Sequence, residues 1–178
     1  MTEDAAKVLV LISGPIAAGK STLARAVTER LRERGRSVAL VDLDTVAEMA
    51  LPTLPDWEWA HEIHARLVGH WVRVPLDVVV DEGTSSRAEV AQVLGGVPEQ
   101  TVVVRVVLVA DVQRSWERAQ GDPTRGVSKD RDFLERVYRH FEGELPGLER
   151  DLLLDVESTS LEESVASILA EVERRLTA

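Results

Sequence analysis

The chain contains no cysteine in 178 residues, and aromatic side chains make up only 4% of it. The absence of cysteine excludes disulfides, thiolate metal sites and cysteine nucleophiles. Basic residues are outnumbered, because 21 Lys and Arg stand against 31 Asp and Glu, for a formal net charge of -10. A protein that binds a polyanion needs a basic surface, so we expect no nucleic-acid partner.

The chain also lacks long apolar runs. The run Val8–Ile12 is far too short to span a membrane and leads into a glycine loop, so we interpret it as a strand. With no membrane segment and no export signal, the expected location is cytoplasmic. The composition, 44% hydrophobic and 29% charged, is typical of one globular domain over residues 1–178.

Short β-branched runs alternate with stretches of helical periodicity. The predicted strands are Val8–Ile12, Val38–Val41, Leu76–Val80, Thr101–Val109 and Leu152–Val156. The predicted helices are Ser21–Glu33, Thr45–Val74 with an interruption near Pro52 and Pro55, Thr84–Leu94, Asp111–Gln120, Arg131–Phe141 and Ser160–Leu176. Most strand runs are continuously apolar, as in parallel strands buried on both faces. The pattern predicts a three-layer α/β/α fold with a five-stranded, mostly parallel sheet.

The segment Gly14–Ser21 reads GPIAAGKS and matches G-x-x-x-x-G-K-[ST] at each fixed position. It lies between a predicted strand and a predicted helix, as a phosphate-binding loop requires. Its backbone N–H groups and the positive end of the helix dipole would bind phosphates. Lys20 would reach the outer phosphates, and the Ser21 hydroxyl would ligate Mg²⁺. The predicted ATP-binding residues are Gly14, Ala17, Ala18, Gly19, Lys20, Ser21 and Thr22.

This layout resembles the small P-loop kinases, which include shikimate kinase, gluconate kinase, adenylate kinase and chloramphenicol phosphotransferase. The resemblance covers nearly the whole chain and is specific in the phosphate loop. It implies transfer of the γ-phosphoryl group of Mg·ATP to a hydroxyl of a small molecule, by a monomer or homodimer. It leaves open which molecule is the acceptor and whether ATP or GTP is preferred. An NTP-hydrolysing or nucleotide-binding protein without a small-molecule acceptor is the alternative.

Asp42 and Asp44 follow the second predicted strand. Alternation in an extended segment places both on one side, at the sheet edge where α/β proteins bind ligands. In the resembling kinases an aspartate here receives the acceptor hydroxyl or helps to hold Mg²⁺. Asp44 is the favoured base and Asp42 a second acceptor-binding candidate. The alternative is that Asp44 caps the helix beginning at Thr45.

Asp81 and Glu82 end the third predicted strand and point to opposite sides, so we expect one of them to face the site. An apolar run followed by an acid resembles the pattern in which a carboxylate orients Mg²⁺. We predict that Asp81 and Ser21 hold the metal and that Glu82 contacts the acceptor, although the roles of the acids could be exchanged. The alternative is that they cap a helix beginning at Thr84. A pure nucleotide binder could dispense with Asp44, Asp81 and Glu82, so their presence favours a kinase.

The resemblance also implies roles for two arginines in residues 118–131. Arg118 would stack on adenine, and Arg125, in a short lid, would reach the phosphates. Glycine and proline residues in this segment make a loop that could close. The competitors for the role of Arg125 are Arg114, Lys129 and Arg131. The alternative for Arg125 is a solvated basic face.

Residues 45–75 correspond to the acceptor-binding helical region of these kinases. Trp57 and Trp71 lie on one helical stripe with apolar residues and are predicted to be core. Trp59 lies on the opposite face and is the candidate to line the acceptor pocket. Arg87 would either meet an acidic group on the acceptor or face water, the commoner case.

Overall fold

A computed structural model describes residues 8–50, 52, 54, 56–121 and 126–177. Its strands are β1 Val8–Ser13, β2 Val38–Asp42, β3 Val78–Thr84, β4 Val102–Val109 and β5 Leu152–Asp155. Its α-helices are α1 Lys20–Glu33, α2 Leu43–Glu48, α3 Glu58–Trp71, α4 Arg87–Gly95, α5 Val112–Gly121, α6 Arg131–Glu144 and α7 Leu161–Leu176. Short 3₁₀ turns cover Val127–Lys129 and Leu145–Gly147. In this part of the chain, a helix of the length and apolarity needed to cross a bilayer is not found.

The five strands form one sheet in the order β2-β3-β1-β4-β5, and each adjacent pair is parallel. The predicted α/β/α fold is therefore confirmed, and the sheet is wholly parallel. Strand β1 is central and buried along its whole length, which explains why its sequence is apolar without alternation.

Helices cover both faces of the sheet. On one face, α1 and α7 pack over Val8, Val10 and Ile12 of β1. On the other, α3 and α4 pack over Leu9 and Leu11. Alternate residues of each strand thus belong to different layers, so a one-residue step decides which helices a side chain meets.

The elements around the third strand differ from the prediction. Strand β3 continues to Thr84, and α4 begins only at Arg87. The Ser86 side chain accepts from the backbone N–H of Glu89, and the Glu89 side chain completes the capping box. Asp81 and Glu82 therefore cap no helix, and the capping alternative for them is wrong.

The predicted helical region 45–74 consists of two helices, α2 and α3. Helix α2 begins immediately after β2 because the Asp42 carboxylate accepts from the Thr45 backbone N–H at 3.0 Å. Gly83, near the end of β3, lies against Leu43 at the start of α2. Its φ is 145°, and a Cβ there would lie 2.4 Å from Leu43 Cβ, so only glycine allows this approach.

Candidate active site

The loop between β1 and α1 has the backbone that phosphate binding requires. Ala17 and Gly19 have positive φ angles of 61° and 97°. Gly19 is the N-cap of α1, and no side chain caps this helix. The first N–H groups of a helix have no partner within it, so those of α1 are open to an anion.

Lys20 and Ser21 begin α1 and extend polar atoms along the loop. Lys20 Nζ donates to the carbonyl oxygens of Gly14 at 2.9 Å and Pro15 at 3.0 Å. Ser21 Oγ donates to Glu82 Oε1 at 2.8 Å. The loop is therefore tied to the end of β3 through a hydroxyl–carboxylate contact.

Glu82 is the carboxylate of β3 that reaches the phosphate loop. It is paired with Ile12 in the strand register and lies on the sheet face that α1 covers. Burial raises the pKa of Glu82 to about 7; Lys20 opposes this rise and Asp42 adds to it. Burying the charged form of a carboxylate costs free energy. The position of Glu82 therefore fits a site where a bound cation compensates its charge.

Asp81 lies on the opposite face, under α3. It is 0% exposed, and its Oδ1 lies 2.8 Å from Nε2 of His64, which is also buried. Burial by itself would lower the pKa of His64, but Asp81 raises it above the ordinary value. The predicted metal role of Asp81 therefore does not fit this structure, since the β-strand alternation turns its carboxylate away from Ser21.

The two aspartates after β2 are separated by the start of α2. Asp42 is 7% exposed, caps α2, and lies 3.2 Å from Arg25 Nη2 through Oδ2. Its carboxylate is thus occupied, which does not fit the predicted contact with an acceptor. Asp44 is exposed in the first turn of α2. The capping alternative for Asp44 is wrong because Asp42 is the cap.

A cavity of about 220 Å³ joins the phosphate loop to the predicted acceptor region. Its lining residues are Ile16, Ala17, Gly19, Lys20, Ser21, Leu43, Asp44, Trp57, His61, Glu82, Gly83, Ser85, Glu89 and Val137. The structure therefore brings Asp44, Glu82 and the phosphate loop together. A neighbouring cavity of about 730 Å³ shares His61 and Glu89 with it and continues along α3 and α4.

The tryptophans of this region are placed differently from the prediction. Trp57 and Trp71 are 37% and 41% exposed, so the prediction that they are core is wrong. Trp57 precedes α3 as its N-cap residue and lines the smaller cavity. Trp59 is partly buried against the cluster of Leu43, Ala47 and Ala60 and also lines the larger cavity. Both rings thus border the predicted acceptor region.

Arg118 borders a third cavity, of about 280 Å³, on the other side of the phosphate loop. This cavity is lined by Ala18, Gly19, Thr22, Leu23, Leu108, Arg118, Val156, Thr159, Leu161 and Ser164. Arg118 donates to Ser115 Oγ at 2.8 Å and lies 3.2 Å from Glu157 Oε1. These contacts hold its guanidinium, and the cavity that Arg118 borders has a mainly apolar lining, as ligand pockets do.

One other predicted arginine is engaged elsewhere in the structure. Arg87 forms an ion pair with Glu144 at 3.1 Å and joins α4 to α6, so it does not fit an acceptor role. Arg125 lies outside the described residues. Arg131, a competitor for its role, lies over the Trp116 ring at 5.4 Å.

Sequence reasoning missed the contributions of Trp57, His61, Ser85, Glu89 and Val137 to the smaller cavity. The spacing of Ser86 and Glu89 signals a capping box. It does not reveal that Glu89 Oε1 would lie 3.7 Å from His61 Nε2. That proximity requires α3 and α4 to pack side by side.

Comparison with known proteins identifies the family of this chain. The profile of a family described as an AAA domain matches residues 9–142, which include the phosphate loop, Asp44 and Glu82. The chain belongs to this family. The resemblance of the chain to small P-loop kinases is confirmed.

One curated relative is a probable adenylyl-sulfate kinase of Pyrococcus abyssi, 39% identical over 59 residues. The match covers 33% of this chain and 34% of the relative, so it spans only about a third of that protein's length. It relates the chain to kinases through a local segment.

Solved structures extend the likeness of the fold to nearly the whole chain. An APS kinase of Mycobacterium tuberculosis, in complex with AMPPNP and APS, has a TM-score of 0.67 at 16% identity and covers 95% of this chain and 98% of its own. A shikimate kinase of Bacteroides thetaiotaomicron has a TM-score of 0.66 at 15% identity, covering 93% and 98%. At these identities the likeness shows the fold alone, which is that of small P-loop kinases.

Proposed function

We propose that this protein is a Mg·ATP-dependent phosphotransferase that moves the γ-phosphoryl group of ATP to a hydroxyl of a small molecule. The observation that carries the proposal is the shared cavity, in which the exposed Asp44 carboxylate faces the same space as Lys20 and Ser21. A nucleotide-binding protein without an acceptor needs no carboxylate of this kind beside its phosphate loop.

The residues support an in-line displacement. The acceptor hydroxyl oxygen forms a bond to the γ-phosphorus as the bond from that phosphorus to the β–γ bridging oxygen breaks, and ADP leaves. Asp44 takes the hydroxyl proton. Lys20 and the open N–H groups at the start of α1 stabilise the negative charge on the phosphoryl oxygens.

The pair Ser21–Glu82 fits Mg²⁺. A hydroxyl and a buried carboxylate 2.8 Å apart are oxygen donors of the type this ion prefers, and burial already disfavours an uncompensated charge on Glu82. Bound Mg²⁺ would neutralise charge on the β- and γ-phosphates. We assign Ser21 as the ligand and Glu82 as the carboxylate that orients it.

Glu82→Gln is expected to raise the Mg²⁺ concentration for half-maximal turnover by about 10–100-fold, as for other residues that orient a ligand. Titrating activity with Mg²⁺ at saturating nucleotide measures this. The matched control is Asp81→Asn, one residue away on the other face. It should lower the melting temperature, because it disturbs the buried pair with His64, and leave the Mg²⁺ dependence unchanged. If Asp81→Asn changed the Mg²⁺ dependence and Glu82→Gln did not, Asp81 would be the residue that orients the metal.

Arg118→Ala is expected to raise the KM for ATP about fivefold, the effect of losing a contact of ~1 kcal/mol. The turnover number should fall less, since stacking on the base is equal in ground and transition states. Glu157→Gln is the control, because it removes the ion pair and leaves the guanidinium in place. A defect confined to turnover would place Arg118 on the phosphates instead.

ADP release measured across acceptor classes tests the function itself. A rate that depends on one class of hydroxyl compound, with a phosphorylated product seen by mass spectrometry, is the expected result. Steady ADP release that no acceptor stimulates would identify an NTP-hydrolysing protein, and binding without release would identify a nucleotide-binding module.

A further inference from the structure

The two adjoining cavities on the acceptor side of the phosphate loop have an acidic lining. The carboxylates that line one or both are Asp44, Asp56, Glu58, Glu62, Glu82 and Glu89. Among the described lining residues, the basic side chains are Lys20, which lies on the phosphate loop, and His61. The described lining therefore carries six carboxylates against one lysine, and that lysine belongs to the phosphate loop.

These acids differ in whether a basic side chain among the described residues cancels their charge. Glu62 pairs with Arg66, and Glu89 is held by the cap of α4. Asp44, Asp56 and Glu58 form no hydrogen bond or ion pair with a basic side chain in the described part of the chain. A cleft lined by one sign of charge concentrates ligands of the opposite sign.

His61 does not supply the missing positive charge. It is half-buried between the cavities, and burial lowers its pKa below the ordinary value although Glu89 acts in the other direction. The imidazole is therefore largely neutral at neutral pH. It is suited to hydrogen bonding and not to holding an anion.

The two tryptophans at these cavities add features that suit a ligand. Trp57 is exposed and lines the smaller cavity together with Asp44, and the faces of aromatic rings attract cations. Trp59 is half-buried and lines the larger cavity, where an aromatic side chain can contact the apolar part of a ligand.

We propose that the acceptor carries a protonated amine beside the hydroxyl that is phosphorylated, as in an amino alcohol or an amino sugar. The ammonium group lies towards Asp56 and Glu58, and the hydroxyl lies at Asp44. An acceptor with a carboxylate or phosphate would instead meet like charges along most of this wall. The inference rests on the proposed phosphotransferase function and specifies its substrate class.

Acceptors with matched carbon skeletons and different charges test which charge the site prefers. Glucosamine, glucose and glucuronate differ at few positions, as do serinol, glycerol and glycerate, and kanamycin extends the amine-bearing set. We expect acceptor-dependent ADP release with amine-bearing compounds only, with a KM that rises with ionic strength. Preference for the anionic members would overturn this inference and leave the kinase function standing. No stimulation by any class, with ATP binding intact, would overturn the kinase function and this inference together.

Substitutions of the acidic residues test where the ammonium group of the acceptor binds. Asp56→Asn and Glu58→Gln should each raise the KM for the amine-bearing acceptor about two- to fivefold, the range for exposed ion pairs, with the KM for ATP unchanged. Glu58→Lys should raise it further and improve the relative rate with the matched anionic acceptor. Glu99→Gln, an exposed acid before β4 and far from the cavities, is the control and should change neither KM. Equal KM values in all four variants would overturn the placement of the amine.

Discussion

Asp44→Asn should reduce acceptor phosphorylation by about 10²–10⁴-fold, the usual effect of removing a general base. The amide keeps the shape of the side chain and cannot accept the hydroxyl proton. Asp44 is exposed and does not cap α2, so the melting temperature should stay unchanged. Nucleotide affinity should also hold, because Lys20 and the loop remain intact. Product formation under saturating ATP and a thermal melt are the two measurements.

Asp42→Ala is the matched control on the same turn of chain. It removes the cap of α2 and the contact with Arg25, so it should lower stability by about 1 kcal/mol. Its turnover at a temperature where it stays folded should remain close to that of the unchanged protein. If Asp44→Asn behaves like Asp42→Ala, Asp44 is structural and the base is to be sought at Glu82.

Lys20→Ala should reduce turnover by about 10²–10³-fold or more, since it removes a preformed positive group from the developing charge. Nucleotide affinity should fall as well. An ATP analogue raises the melting temperature of a protein that binds it, by an amount that grows with ligand concentration over Kd. We expect this rise to shrink strongly in the variant.

The folded state of the Lys20 variant serves as its control. Lys20 Nζ donates to the carbonyl oxygens of Gly14 and Pro15 in the phosphate loop. A thermal melt without nucleotide shows whether the variant is folded under the assay conditions, so that a loss of turnover is not the result of unfolding. An undiminished nucleotide shift and unchanged turnover would contradict the assignment of this loop to phosphate binding.

Local sequence was sufficient to predict the elements that depend on nearby residues. The glycine pattern Gly14–Ser21 specifies a loop that ends in a helix N-terminus, and the structure has that loop. Continuous apolar runs, most of them rich in β-branched residues, predicted all five strands, with boundaries that differ by a few residues. The Ser160–Glu163 spacing predicted the capping box that begins α7, because both partners lie within one turn.

Contacts across the chain could not be predicted in the same way. Alternation along β3 implies that Asp81 and Glu82 face opposite layers, but a strand pattern does not say which layer holds the phosphate loop. The packing of α1 on one face and α3 on the other places Glu82 at Ser21 and Asp81 at His64. The sequence alone thus determined the fold class and the nucleotide loop, whose interactions are local. Only the tertiary structure decided which acid meets the metal site and which residues form the acceptor wall, because those depend on how separate layers pack.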